Sequence, residues 1–173
     1  MKNNFNKKLV ERYSRQIVLK NVGPTGQKKI INSKVLVVGA GGLGCPVIDY
    51  LSRAGVGNIG IVDNDKVNIS NIHRQSLYTS KDVGKFKVNI AKKKVKLINP
   101  QIKIKTFKVR IDNKNIEKIF KNYDFIVDGS DNFKTKFLLN KYSIKYGKTL
   151  IAGAISKFDG HVFTFDFKNK KTP

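Results

Sequence analysis

Short apolar runs alternate with helical patterns along most of this chain. Runs rich in β-branched residues predict six strands, at 34–39, 58–63, 102–107, 124–129, 149–154 and 160–167. Apolar residues at helical spacing predict helices at 43–54, 85–98 and 132–146, and one or two amphipathic helices within 5–31. We therefore expect an α/β, Rossmann-like fold, with a mostly parallel sheet, helices on both faces and an N-terminal helical extension. The last run alternates polar and aromatic residues, which indicates a strand at the far side of the sheet.

Length and composition are those of a globular chain with one core. The 173 residues suffice for one domain and are few for a two-domain enzyme. The sequence contains no apolar run of membrane-spanning length, and its N-terminus lacks the apolar core of a signal peptide. The single cysteine excludes an intramolecular disulfide and a thiolate zinc cage. We expect a cytoplasmic protein that does not associate with membranes.

The net charge of +23 raises the question of nucleic-acid binding. Only five of the 35 basic residues are arginine, the better reader of phosphate and guanine. The lysines are spread along the chain without interleaved aromatic residues. Lys, Asn and Ile share A/T-rich codons, so a genome rich in A and T would raise the number of lysines without any selection for nucleic-acid binding. We interpret the charge as a solvated basic surface and expect no nucleic-acid partner.

A glycine-rich turn follows the first predicted strand and opens the first helix of the alternating pattern. "GAGGLG" places Gly39, Gly41 and Gly44 in the G-x-G-x-x-G spacing, with Gly42 between them. Such a turn lets the backbone approach a phosphate and directs a helix N-terminus at it. Asp63 ends the second strand, 19 residues after Gly44, where an acid binds ribose hydroxyls. These features fit a dehydrogenase as well as other nucleotide-binding proteins.

Two cations and a further acid favour a triphosphate over a nicotinamide cofactor. Arg74 follows the second strand, and Lys87 lies in the first turn of the helix at 85–98, where it opposes the helix dipole unless an anion is near. Asp131, after the fourth strand, should face the glycine loop and hold magnesium. Lys87 could instead be a solvated lysine, and Asp131 could be the N-cap of the helix at 132–146, a role compatible with metal binding.

The sequence resembles the ThiF/MoeB/HesA family, the bacterial relatives of ubiquitin-activating enzymes. The resemblance runs from about residue 9 to the end, and its stretches occur in order with family-like spacing. They are "ERYSRQI" (11–17), "GQKKI" (26–30), "VLVVGAGGLG" (35–44), "AGVGNIGIVDND" (54–65), "SNIHRQ" (70–75), "VGKFK" (83–87), "INP" (98–100) and "DGSDN" (128–132).

The resemblance implies an adenylyltransferase that uses ATP and Mg²⁺. Its substrate would be the C-terminal Gly-Gly of a small ubiquitin-like sulfur-carrier protein of the ThiS/MoaD type, in thiamine or molybdopterin biosynthesis. By resemblance, Arg74 and Lys87 contact the phosphates, Asp131 serves the magnesium and Asp63 holds the ribose. Further nucleotide contacts fall on Ser70, Asn71 and Asn132. Arg15 matches an arginine that reaches the partner's ATP site in a homodimer.

The chain departs from the family pattern near its end. Relatives continue into two C-x-x-C pairs that form a zinc site and a loop that often bears a transfer cysteine. This sequence ends at "KNKKTP", and its one cysteine, Cys45, is expected to be a packing residue. We expect residues 1–33 to form a helical dimer arm and 34–173 an ATP-binding adenylation domain without the C-terminal part of the family fold, so that zinc cannot bind this chain alone. A non-catalytic or truncated member and an NAD-binding oxidoreductase domain remain as alternatives.

Overall fold

The computed structural model describes residues 7–168 and contains one six-stranded sheet. Its strands are β1 (Lys34–Val38), β2 (Asn58–Val62), β3 (Lys103–Phe107), β4 (Phe125–Asp128), β5 (Thr149–Ser156) and β6 (Asp159–Asp166). Their order is β3-β2-β1-β4-β5-β6; the first five are parallel, and β6 runs antiparallel beside β5 at the edge. The predicted Rossmann-like sheet and the edge position of the last strand are therefore confirmed.

The central strands are apolar on both sides because helices cover both faces of the sheet. In β1, Val35 and Val37 pack into one buried cluster, and Leu36 and Val38 pack into the other. This two-sided burial explains why β1 is a continuous apolar run and not an alternating one. From β1 the chain adds β2 and β3 on one side and then β4 and β5 on the other. This reversal of the strand order between β1 and β4 creates a crevice at their carboxyl ends.

Six α-helices accompany the sheet within residues 7–168. They are α1 (Lys7–Ile17), α2 (Gly23–Asn32), α3 (Gly44–Ala54), α4 (Lys87–Ile98), α5 (Ile116–Phe120) and α6 (Phe133–Tyr146). The first buried cluster takes residues from α3 and α4, and the second takes residues from α5 and α6. The predicted helices are confirmed within one or two residues where described, while the short α5 was not predicted. No described helix has the length and apolar character needed to cross a bilayer.

The N-terminal helices dock on the carboxyl ends of α3 and α4. Tyr13 is buried, and its hydroxyl accepts a hydrogen bond from Asn99 Nδ2 at 2.8 Å. Its ring occupies the space that a Cβ on Gly55 would need, at 2.4 Å from the hydroxyl oxygen. Gln27 Nε2 donates to the carbonyl of Ala54 at 3.0 Å. The extension is thus anchored to the nucleotide fold, while Val18, directly after α1, lies exposed. The ends of both expected domains, residues 1–6 and 169–173, lie outside the described part.

Candidate functional site

A cavity of about 690 Å³ opens at the carboxyl ends of β1, β2 and β4, where the strand order reverses. This is the crevice in which doubly wound sheets bind ligands. Its lining comprises Gly39, Gly41, Gly42, Leu43, Asp63, Asp65, Lys66, Asn68, Ser70, Asn71, Arg74, Gln75, Lys87, Gly129, Asp131 and Ile155. Most of the site residues predicted from the sequence are therefore brought to one cavity.

The glycine loop is packed tightly against β4 on one side and open on the other. Gly39 has a φ of 93°, and a Cβ there would lie 2.7 Å from the Gly129 carbonyl oxygen. A Cβ on Gly44 would lie 1.9 Å from the Gly39 carbonyl oxygen, so Gly44 serves close packing and does not line the cavity. A Cβ on Gly41 would meet only Gln75 Nε2, at 3.8 Å. No side chain caps the start of α3, but its Cys45 amide donates to the Gly41 carbonyl at 2.9 Å and Pro46 has no amide hydrogen, so an anion would be bound by the loop before the helix.

Asp63 ties the end of β2 to the glycine loop. Its Oδ2 accepts the Ala40 amide at 2.7 Å, and its Oδ1 accepts the Asp65 amide at 2.7 Å. Burial raises the pKa of the Asp63 carboxyl, against the opposing effects of these amides and of Lys87. Each carboxylate oxygen keeps a second lone pair, so ribose binding stays a prediction that this geometry allows.

Lys87 is the first residue of α4 and is buried, so the alternative of a solvated lysine is wrong. Its Nζ lies 2.9 Å from Asp65 Oδ2, with 6% of the lysine side chain exposed and 60% of the aspartate side chain. The Lys87 amide also donates to the Asp65 carbonyl at 3.0 Å. Burial of an unpaired ammonium would be costly, and Asp65 offsets that cost from the solvent side. Asp65 was not singled out from the sequence.

Arg74 is held by neutral partners. Its Nη1 donates to the Ser70 carbonyl at 3.0 Å and lies 2.8 Å from His73 Nε2, which accepts when unprotonated. Its aliphatic stem lies over Gly42, within 3.7 Å of the position a Cβ would take. Among the described residues, no carboxylate pairs with this guanidinium. The cavity therefore contains an arginine whose charge is available to an anion.

Polar groups beside Arg74 are ordered by a short 3₁₀ turn at Ile69–Asn71. Asn68 Oδ1 accepts the Ser70 amide and hydroxyl, each at 3.0 Å, and Asn71 Oδ1 accepts the Asn68 amide at 3.2 Å. The buried Gln75 Oε1 has no hydrogen-bond partner in the described chain. A buried unpaired acceptor in a cavity wall is costly, which marks Gln75 as a candidate ligand contact. Its motif was noted from the sequence, but no role was assigned to it.

Asp131 does not cap α6, so the N-cap alternative is wrong. The N-cap is Asn132, whose side chain accepts the Thr135 amide at 2.9 Å. Asn132 is thereby engaged in the helix start and lies outside the cavity lining, and its nucleotide contact stays a prediction. The Asp131 side chain is exposed in the cavity and forms no hydrogen bond or ion pair within residues 7–168. Mg²⁺ bound to substrate phosphates needs only one or two protein carboxylates, which Asp131 fits.

A buried network behind Asp131 was missed by the sequence reasoning. Asp128 Oδ1 accepts the Ser130 amide at 2.9 Å and the Ser130 hydroxyl at 2.6 Å. Asp128 Oδ2 accepts Lys136 Nζ at 3.2 Å, and the same Nζ donates to the Gly153 carbonyl at 2.7 Å. One lysine of α6 thus joins the end of β4 to a carbonyl within β5, next to the loop that carries Asp131. No local pattern announces this network, because its members meet only in the folded sheet.

A smaller recess of about 80 Å³ adjoins the main cavity. The two share Gly39, Asp63 and Asp65, and the recess has apolar walls that include Val109 and Ile111, just after β3. If Asp63 binds the ribose, as predicted, these apolar side chains would face the purine base. The sequence reasoning did not identify these residues, because a two-residue apolar pattern after a strand is not a distinctive signal.

Arg15 and Cys45 lie away from the cavity opening. Arg15 is exposed on α1, outside the cavity lining, and has no hydrogen bond or ion pair with another described residue. Cys45 is buried in the first turn of α3 and donates its thiol to the Ala40 carbonyl at 3.4 Å. Burial raises the pKa of the thiol. The cysteine is a packing residue, as expected. No group of three or more His, Cys, Asp or Glu side chains suited to a metal occurs within 7–168.

Curated proteins with similar sequences include adenylyltransferases. The sulfur carrier protein adenylyltransferase of Thermus thermophilus is 46% identical over 161 residues, which are 93% of this chain and 59% of that protein. The probable molybdopterin-synthase adenylyltransferase of Gracilaria tenuistipitata var. liui is 42% identical over 159 residues, which are 92% of this chain and 45% of that protein. The chain thus spans about half the length of these curated relatives.

Solved structures share the fold. The crystal structure of PaaA superposes with a TM-score of 0.85 at 27% identity, covering 96% of this chain and 54% of PaaA. The structure of E. coli MccB with AMPCPP and MccA superposes with a TM-score of 0.78 at 30% identity, covering 88% of this chain and 45% of MccB. Residues 13–173 match the ThiF family. The glycine loop, the cavity at the strand-order reversal and these similarities show that the chain belongs to the ThiF family.

Proposed function

We propose that this chain is the ATP-binding part of an adenylyltransferase. Its substrate would be the C-terminal glycine carboxylate of a small ubiquitin-like sulfur-carrier protein of the ThiS/MoaD type, in thiamine or molybdopterin biosynthesis. The observation that carries the proposal is the convergence of Arg74, Lys87 and Asp131 on the glycine loop in one cavity. The names of the similar curated proteins support the same reaction.

The residues that line the cavity suit this chemistry. One carboxylate oxygen of the carrier attacks the α-phosphorus of ATP, forming an O–P bond, while the bond from this phosphorus to the bridging oxygen breaks and pyrophosphate leaves with the electron pair. A carboxylate is already a nucleophile at neutral pH, so no general base is required. The protein has to neutralise and align the phosphates. Arg74 can do so without losing a protein carboxylate partner, because it has none among the described residues.

Lys87 requires an exchange of partners. Its ammonium is paired with Asp65, which is largely exposed. A triphosphate oxygen can replace the Asp65 carboxylate, which can turn towards water at little cost because it lies at the surface. We infer that the contact with Asp65 orients the Lys87 side chain before ATP binds, and that its Nζ then contacts the phosphates instead.

Magnesium would enter with ATP and be held by Asp131, where it would neutralise charge on the phosphates. The carboxylate has no competing partner in the described chain, and the Asp128–Lys136 network holds its loop. The ribose would lie at Asp63, and the base would face the recess at Val109 and Ile111. Arg15 would complete the site of a second subunit, because on its own protomer it lies outside the cavity lining.

Carrier-dependent exchange of labelled pyrophosphate into ATP tests this function. The polypeptide that carries these residues should catalyse exchange only when a carrier ending in Gly-Gly is added. Asp131→Ala should abolish exchange and leave the thermal unfolding midpoint nearly unchanged, because the exposed Asp131 side chain has no intramolecular partner. Exchange that persists in Asp131→Ala would show that Asp131 does not serve the metal, and absence of exchange with every Gly-Gly carrier would refute the function.

A further inference from the structure

A second cavity, of about 550 Å³, lies between the loop that follows β3 and the outer face of α6. Its volume falls in the range of about 300–1,000 Å³ that is usual for ligand sites. The cavity borders the apolar recess through Arg110, Ile111 and Thr135 but shares no lining residue with the main cavity. None of the residues proposed to bind the phosphates or the magnesium lines it.

The charged side chains that line this cavity are mostly positive. Four exposed cations line it, namely Arg110, Lys114, Lys134 and Lys141. Within residues 7–168, none of their side chains forms a hydrogen bond, an ion pair or a contact with an aromatic ring. The four cations are free to bind phosphates.

The acids near this cavity do not balance its charge. Asp112 is the one acid in the lining, and its Oδ1 accepts the Lys114 amide at 2.8 Å and the Asn115 amide at 3.1 Å. Glu117, on α5, is paired with Lys145, and the hydrogen bond from this lysine holds the pKa of the Glu117 carboxyl below its usual value. The face formed by the loop, α5 and α6 is therefore positive overall.

One exposed aromatic ring lies between the two lysines that α6 contributes to the cavity, and a second lies just before them, outside the cavity lining. Lys134, Phe137 and Lys141 follow at spacings of three and four residues and so share one side of the helix. Phe137 lines the cavity with 71% of its surface exposed, and Phe133, one turn earlier, is 77% exposed. The two rings lie 6.4 Å apart at 31°. The aromatic interleaving that was not found along the sequence is thus present on this face.

We propose that this surface binds single-stranded nucleic acid, with bases stacked on Phe137 and Phe133 and phosphates bound by the four cations. Exposed aromatic rings within a cationic groove are the usual arrangement for single strands, because every base has a face that can stack. A duplex would leave the rings unused, and an acidic peptide would need only the charges. This inference revises our expectation, untested so far, that no nucleic acid binds.

Fluorescence anisotropy of labelled oligonucleotides of about twelve residues, a length within the usual site sizes, tests the proposal. Oligouridylate and oligodeoxyuridylate, which differ only in the 2′-hydroxyl, are compared, and tighter binding of one of them shows whether the surface prefers RNA or DNA. The double variant Lys134→Gln/Lys141→Gln should weaken binding. It should also reduce the steepness of the plot of the logarithm of the association constant against the logarithm of the salt concentration by about 1.4, for two lost phosphate contacts on a single strand. Phe137→Ala should weaken binding about tenfold, as expected for one stacked base.

The matched control is Lys28→Gln/Lys29→Gln on α2, which removes the same charge from exposed lysines on another surface. It should leave binding nearly unchanged, and far-UV circular dichroism should be native in all variants. Equal losses in the control and the α6 variant would assign binding to diffuse charge and overturn the proposal. An unaffected Phe137→Ala, or displacement by polyglutamate at equal charge concentration, would also overturn it, the latter in favour of an acidic protein partner.

Discussion

Replacing Lys136 by methionine should destabilise the fold by about 2–3 kcal/mol. The Asp128 side chain that it pairs with is 1% exposed, and Lys136 itself is 23% exposed. Removing one partner of a buried pair costs about 3–5 kcal/mol, because the remaining charge is uncompensated. We reduce this figure since Ser130 still donates two hydrogen bonds to Asp128 and since Lys136 is partly exposed.

Urea denaturation followed by circular dichroism measures this loss, and the thermal midpoint should fall by about 5–10 °C for a domain of this size. Lys136→Arg, which keeps the charge, is the control and should recover most of the loss. In the double variant Lys136→Met/Asp128→Asn no charge remains buried, so the two losses should not add, with a coupling of about 1–3 kcal/mol. A Lys136→Met protein within about 0.5 kcal/mol of the parent, the usual range for surface substitutions, would refute the role of this network.

Three further results are expected. Gly44→Ala should lower the free energy of unfolding by about 3 kcal/mol or more, because its Cβ would lie 1.9 Å from a backbone oxygen. Gly41→Ala should keep the urea midpoint and bind ATP more weakly, and equal stabilities of the two variants would contradict this packing. Burial raises the pKa of the Cys45 thiol and so lowers its thiolate fraction at pH 8. A disulfide reagent should therefore react with it only in denaturant, and rapid labelling of the native protein would disprove its burial. Arg15→Ala should lose on the order of 10³ in exchange rate and Asp131→Ala should show none, and a mixture of the two should regain activity if Arg15 acts across a dimer. A mixture that recovers nothing although subunits exchange would exclude this.

The parts of the fold set by local patterns could be predicted from the sequence. The apolar run at 34–38 and the glycine loop are contiguous, and both faces of β1 are buried as such a run indicates. Arg74 and Lys87 were predicted to lie near the glycine loop from their places after the second strand and at a helix start, and both line the cavity there, while their nucleotide contacts stay a prediction. The short helix α5 was missed because five residues show too little periodicity.

The contacts that orient the side chains of the site could not be predicted, since they join residues distant in sequence. Lys87 and Asp65 are 22 residues apart, and whether the lysine is solvated or paired depends on how β2 and α4 meet. Lys136 reaches the Gly153 carbonyl, 17 residues away, only because β4 and β5 are neighbours. Asn132 instead of Asp131 caps α6, although both are good N-cap residues, and only the backbone geometry decides between them.

Calorimetric titration of the chain with ATP and Mg²⁺, and separately with NAD, tests the nature of the site most directly. The two cations at the glycine loop predict micromolar binding of ATP and no detectable binding of NAD. Arg74→Ala should weaken ATP binding, whereas Arg53→Ala, which removes an exposed arginine paired with Asp49 on α3, should not. Micromolar binding of NAD without binding of ATP would contradict the proposed adenylyltransferase site.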